Sequence, residues 1–196
     1  MPVDGGQLYY EAVGEGPVLV LVHAGIADSR MWDSQMPAFS NTHRVVRYDV
    51  RNFGLSSIAE KDFAHDEDLK ALLEHLNIDQ ATVLGVSMGG TLTIDFALAY
   101  RHMLSALVLV ATGPNGYDRW GDEIRQGWAE EEAALKAGDM ERAIEINLRM
   151  WVDGPFRAPG AVDPAVRARV HEMLAHNLPR EGEGEARDLE RSRQAG

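Results

Sequence analysis

The chain has 196 residues, 45% hydrophobic and 26% charged, a composition that suits one globular domain with a substantial core. Its 31 acidic and 19 basic residues give a net charge of -12, which argues against nucleic acid or an anionic membrane as a partner, because both reward basic patches. The lack of cysteine excludes a disulfide framework, thiol catalysis and a Cys-type zinc site, and nothing else in the pattern calls for a metal or cofactor. No run approaches the roughly 18 consecutive apolar residues of a membrane span. Met1 to Gly6 lacks the basic-then-apolar pattern of a signal peptide, so a cytoplasmic location is expected.

In chain order, Asp4-Gly5-Gly6 reads as a turn joining a very short strand to a second one over residues 7–13. Val18 to Val22 is apolar on both faces, as in a strand covered by helices on each side. Further strands are expected over residues 44–50, 81–85 and 106–110, separated by helices at about residues 31–40, 66–76 and 88–100. Such alternation implies an α/β fold, a mostly parallel sheet flanked by helices. Beyond Thr112 the texture changes. Residues 114–179 carry no convincing strand, Asp139 and Asp163-Pro164 read as helix starts, and apolar residues from Trp120 to Trp151 give this helical segment a surface to bury. The expected division is a core over 1–113, a helical cap over 114–179 and a disordered tail over 180–196, where Leu189 is the one large aliphatic residue.

Gly85-Val86-Ser87-Met88-Gly89 is the most informative motif, because it places a serine on a strand-to-helix turn. The pentapeptide alone would arise by chance in roughly one chain in fifteen of this size. Its context supplies the specificity: a short apolar strand before it and a helix-length, proline-free run after it. The two glycines let the backbones of that strand and helix approach where a Cβ would clash. No lysine follows them, which excludes a phosphate loop.

With two further motifs the chain resembles the α/β-hydrolase superfamily from about Val3 to Leu178. His23-Ala24-Gly25 is similar to that family's His-Gly-X oxyanion loop, with alanine in a usual glycine place. Asp49-Val50-Arg51-Asn52-Phe53-Gly54-Leu55-Ser56 is similar to its Asp-X-Arg-Gly-X-Gly-X-Ser loop, with Asn52 replacing a glycine. The resemblance implies acyl transfer, with Ser87 as nucleophile and the backbone N–H groups of Gly25 and Met88 stabilising the oxyanion. It implies a supporting role for His23 and a structural Asp49–Arg51 pair. A serine nucleophile disfavours the dehalogenase and epoxide-hydrolase branches and leaves esterases, lactonases and related acyl hydrolases. The segments around Met31-Trp32-Asp33 and Arg47-Tyr48-Asp49 are similar to enol-lactonase-like members. A small, partly apolar ester-like substrate is expected.

Members of this family place an acid and then a histidine on loops after strands that follow the cap, and neither pattern follows Leu178 here. The resemblance therefore implies a C-terminally shortened chain whose last strands are missing. Asp118 stands where some members place the acid. His171 and His176, on the helix expected over 163–178, are the histidines that follow the start of the cap. His65 and His75 are expected to face solvent, as is Asp95. Two functions stay open. One is an ester or lactone hydrolase with doubtful activity in this chain, and the other is a non-catalytic ligand-binding or interaction protein that keeps the cleft. An unpaired apolar strand over 106–110 would leave a sheet edge for self-association.

Overall fold

The computed structural model describes residues 1–158 and 160–180. Its sheet has the order β3-β5-β4-β6-β7, where β3 is Tyr10–Val13, β4 Val18–Val22, β5 Arg44–Tyr48, β6 Ala81–Val86 and β7 Leu104–Val110. All neighbours pair in parallel except β3, which lies antiparallel to β5 at one edge. The expected opening strand is divided: β1 (Pro2–Val3) and β2 (Gly6–Gln7) form a separate hairpin, and only Tyr10 onward joins the sheet. The break falls at Leu8 and Tyr9, where Leu8 is buried and the Tyr9 N–H turns to Ser56 Oγ at 2.9 Å.

Alternate side chains of β4 enter opposite layers, as strand geometry requires. Val20 and Val22 pack with Val46, Val83 and the apolar face of α2 (His65–His75) and α3 (Met88–Ala99). Leu19 and Leu21 pack against Trp32, with Met36 and Phe39 beside them. The helix expected over 31–40 is two short pieces, a 3₁₀ turn Ser29–Trp32 and α1, Met36–Phe39. Pro37 explains the restart, since it lacks an N–H and suits the first turn of a helix.

After β7, residues 111–180 hold no strand among the described residues. They form α4 (Asp122–Lys136), α5 (Met140–Asn147) with a π-helical continuation Leu148–Asp153, and α6 (Pro164–Asn177). Asp139 and Asp163 cap α5 and α6 through side-chain oxygens bonded to the N–H groups of Arg142 and Ala165. These helices bury Ala143, Ile144, Ile146, Leu148 and Leu174 among themselves. Trp120 and Trp128 stay half-exposed, stacked edge to face at 5.2 Å.

Two polar clusters fix the loops beneath the cleft, one of them differently from the sequence expectation. Arg51, 1% exposed, pairs with Asp68 through Nε at 2.8 Å and Nη2 at 2.5 Å, and its Nη1 donates to the Asp4 carbonyl at 2.7 Å. Its partner is therefore not Asp49. Asp49 instead accepts the N–H groups of Ser29 and Leu55, tying two loops together. The physical reason lies in Asp68, a buried carboxylate on the first turn of α2 whose burial raises its pKa against the lowering pull of Arg51. Buried charges persist when paired.

His65 also departs from expectation. Its ring packs edge-on against Phe63 at 5.0 Å and its Nδ1 is buried. Burial, helped by the Arg51 charge, pushes its pKa down to about 3. His75 is exposed as expected, beside the Tyr10 hydroxyl at 3.2 Å. Of the expected tail only Arg180 is described. It donates to the carbonyls of Asn52 at 3.1 Å and Ser56 at 2.5 Å, so it belongs to the fold, while 181–196 lie outside the described residues.

Candidate active site

Ser87 sits between β6 and α3 with φ 52° and ψ -119°, a left-handed conformation that costs a non-glycine residue about 1–3 kcal/mol. The surroundings hold it there. Its N–H donates to the Val110 carbonyl at 2.9 Å, and Thr112 Oγ donates to the Ser87 carbonyl at 2.7 Å. The neighbouring glycines are required by close approach. A Cβ on Gly89 would lie 2.7 Å from the Val22 carbonyl oxygen and closer still to that of His23, and one on Gly90 would lie 2.7 Å from Thr112 Cβ.

The strained turn leaves the Ser87 side chain exposed, with no hydrogen bond to its Oγ among the described residues. Gly25 lies opposite: a Cβ placed on it would stand 3.5 Å from both Cβ and Sδ of Met88. The Met88 N–H is one of the first-turn donors that an α-helix cannot satisfy internally. The Gly25 N–H also has no acceptor among the described residues. Gly25 and Met88 thus each carry a backbone N–H with no acceptor among the described residues, in two segments that meet at the cleft beside Ser87. His23 keeps the loop in place. Its Nε2 accepts the Val50 N–H at 3.0 Å, so the proton resides on Nδ1, which donates to the Ala24 carbonyl at 2.9 Å. Burial lowers its pKa, and with both nitrogens engaged it cannot act as a base.

Above Ser87 opens a cavity of about 890 Å³, walled by core residues including Gly25 and Ile26 and by cap residues including Trp151, Val170 and Met173. A volume of this size suits a small organic ligand. The polar side chains of its cap wall are Glu131, Asn147 and Arg157, none of which periodicity or motif could mark.

None of the chain's seven histidines lines this cavity. His171 Nε2 lies 3.1 Å from Glu141 Oε2, joining α6 to α5, and His176 Nε2 donates to the Gly54 carbonyl at 2.9 Å, in a second, smaller cavity. Asp118 is exposed on the loop before α4, where its carbonyl accepts from Arg125 at 2.5 Å. It is not part of the cleft wall, so the structure does not bring it to Ser87. Asp95 is half-buried and accepts from Asn115 Nδ2, which joins the elbow helix to the loop after β7.

A strained serine on a strand-to-helix turn at the carboxyl edge of a mostly parallel sheet, under a helical cap, defines a protein of α/β-hydrolase architecture. The chain belongs to the α/β-hydrolase fold family, whose sequence model matches residues 17–186. It is 32% identical over 180 residues to a pimeloyl-[acyl-carrier protein] methyl ester esterase of Nitrosospira multiformis, covering 86% of this chain and 66% of that protein. It is 25% identical over 142 residues to 3-oxoadipate enol-lactonase 1 of Acinetobacter baylyi, covering 71% of this chain and 51% of the relative. Among solved structures, a hydrolase from Pseudomonas aeruginosa superposes with a TM-score of 0.73 at 31% identity, over 90% of this chain and 67% of the other. The enol-lactonase of Burkholderia xenovorans gives 0.74 at 25% identity, over 91% and 68%. The chain thus spans two thirds or less of the length of these curated relatives. No helix among the described residues is long and apolar enough to cross a membrane.

Proposed function

We propose that this chain is the nucleophile-bearing part of a cytoplasmic serine hydrolase that acts on ester- or lactone-like bonds of a small, partly apolar substrate. The observation that carries the proposal is Ser87, held at φ 52°, whose Oγ and the neighbouring N–H groups of Gly25 and Met88 have no hydrogen-bond partner among the described residues. In the proposed reaction Ser87 Oγ attacks the substrate carbonyl carbon while its proton passes to water, and the developing oxyanion accepts hydrogen bonds from those two donors. The C–O bond then breaks to release the protonated alcohol oxygen, and water hydrolyses the acyl-serine to free acid and serine. Backbone donors suit this work because the fold sets their position before the reaction begins. Removing one such donor typically costs about 10²–10³ in turnover. The relatives support the same bond class, one being a methyl ester esterase and another an enol-lactonase.

Turnover by this chain alone is expected to be slow, since no histidine lines the cleft to take the serine proton. Absence of the triad histidine removes about 10⁶-fold in rate, roughly 8 kcal/mol of transition-state stabilisation. The same observation supports a second function, a non-catalytic protein that binds ligand in the cleft. Fluorophosphonate labelling separates them. Rapid labelling that disappears in Ser87→Ala requires an activated serine, whereas an unlabelled protein overturns the hydrolase and leaves the binding function.

A further inference from the structure

The cleft above Ser87 has mostly apolar walls, formed in part by Ile26, Val152, Val166 and Val170. Two charged side chains interrupt them, Glu131 and Arg157, and they are not equivalent. Glu131 Oε1 accepts from Nδ2 of the buried Asn147 at 2.5 Å, so the carboxylate is engaged within the cap. Arg157 has no carboxylate partner among the described residues. Its Nη1 donates to the carbonyl oxygens of Val152 at 2.8 Å and Asp153 at 3.3 Å, which pins the guanidinium to the end of the π-helical turn. The donors on Nε and Nη2 have no acceptor among the described residues. These two nitrogens form one edge of the planar fork, and that edge matches the two oxygens of a carboxylate.

A protein of net charge -12 repels small anions over most of its surface, so retaining one in this cleft calls for a local cation. Arg157 supplies it, and the valines that line the same cleft as Arg157 and Ser87 offer contact for methylene groups of a bound ligand. We propose that Arg157 forms a carboxylate subsite, so that the cleft selects esters or lactones whose acyl part ends in a free acid. The ester or lactone part of this statement rests on the proposed function; the anion subsite does not.

The test uses Ser87→Ala protein, which cannot turn substrate over, titrated calorimetrically with monomethyl esters of glutaric to suberic acid and with the corresponding dimethyl esters. The half-esters are expected to bind about ten- to a hundredfold more tightly than the diesters, as suits a charge-assisted hydrogen-bonded pair. Added salt should narrow the gap. In a second protein that also carries Arg157→Gln the preference should vanish, while Arg157→Lys retains part of it. A thermal melt of each protein confirms the fold, and Arg157 is exposed enough for its replacement to leave the core intact. Equal binding of half-ester and diester overturns the proposal. So does a preference that survives Arg157→Gln, or no binding of either ligand. Fluorophosphonate labelling of Ser87 is read separately: an unreactive serine with an intact half-ester preference defeats the hydrolase and spares the subsite, and the reverse pattern does the opposite.

Discussion

Replacing Gly89 with alanine tests whether the elbow depends on contact between the start of α3 and the end of β4. The added Cβ would stand 2.7 Å from the Val22 carbonyl oxygen and 2.9 Å from its carbon, where ordinary contact begins at 3.4 Å. Relieving the clash moves helix and strand apart by at least about 0.7 Å, and the obstacles are backbone atoms that cannot rotate away. Overpacking of this kind costs about 1–3 kcal/mol. Alanine regains up to about 1 kcal/mol of helix propensity over glycine, so the expected net loss is about 1–2 kcal/mol. The same displacement shifts Met88 against Gly25. Since a misplacement of about 1 Å can cost 10²-fold, labelling of Ser87 should slow about tenfold or more. Urea unfolding and fluorophosphonate kinetics read the two effects. Gly121→Ala is the control, because its Cβ would meet nothing within 4 Å. A Gly89→Ala protein with the wild-type urea midpoint and the wild-type labelling rate would refute the close-approach account.

Arg51→Met should destabilise the fold by about 3–5 kcal/mol, because it strands the buried Asp68 carboxylate; a urea midpoint near wild type would show that Asp68 needs no cation. His65 titrates near 6.5 when unfolded and is pushed down to about 3 by burial, and His23 is lowered in the same sense. The unfolded chain therefore binds more protons in that window, and stability is full above about pH 6.5 and falls toward about pH 3. Urea midpoints measured across this range should fall, and His65→Gln should flatten the slope; an unchanged slope would remove His65 as a cause. In β7, Val108 and Val110 are 40% and 42% exposed on an uncharged edge strand. We propose that this edge pairs with a second copy of the chain, so Val108→Lys should lower concentration-dependent light scattering, and identical scattering in both proteins would absolve the edge.

The parallel sheet was legible because β4 is buried on both faces, β6 alternates buried with half-buried residues, and both sequences are mostly apolar. Ser87 was legible because glycines at 85 and 89 have a steric reason to be there. What escaped was set by distant contacts. Glu131, Asn147 and Arg157 reach the cleft through helix packing, which leaves no local mark in their spacing. Arg51 and Asp49 stand two residues apart in one loop and invite pairing, yet a buried Asp68 on α2 competes for the guanidinium and wins. His65 opens a helix among acidic residues and so reads as exposed, but Phe63 turns its ring inward.

Asn177, buried near the end of α6, accepts the Gly54 N–H at 2.8 Å and donates to Asp28 Oδ2 at 3.2 Å across separations of 123 and 149 residues. His176 and Arg180 add bonds to Gly54 and Asn52 over separations of 122 and 128 residues. The consequence is mutual dependence between distant segments. The segment carrying Gly25 is anchored at Asp28 by a residue 149 positions further on, so any change that undocks α6 also frees the loop on the far side of the cleft.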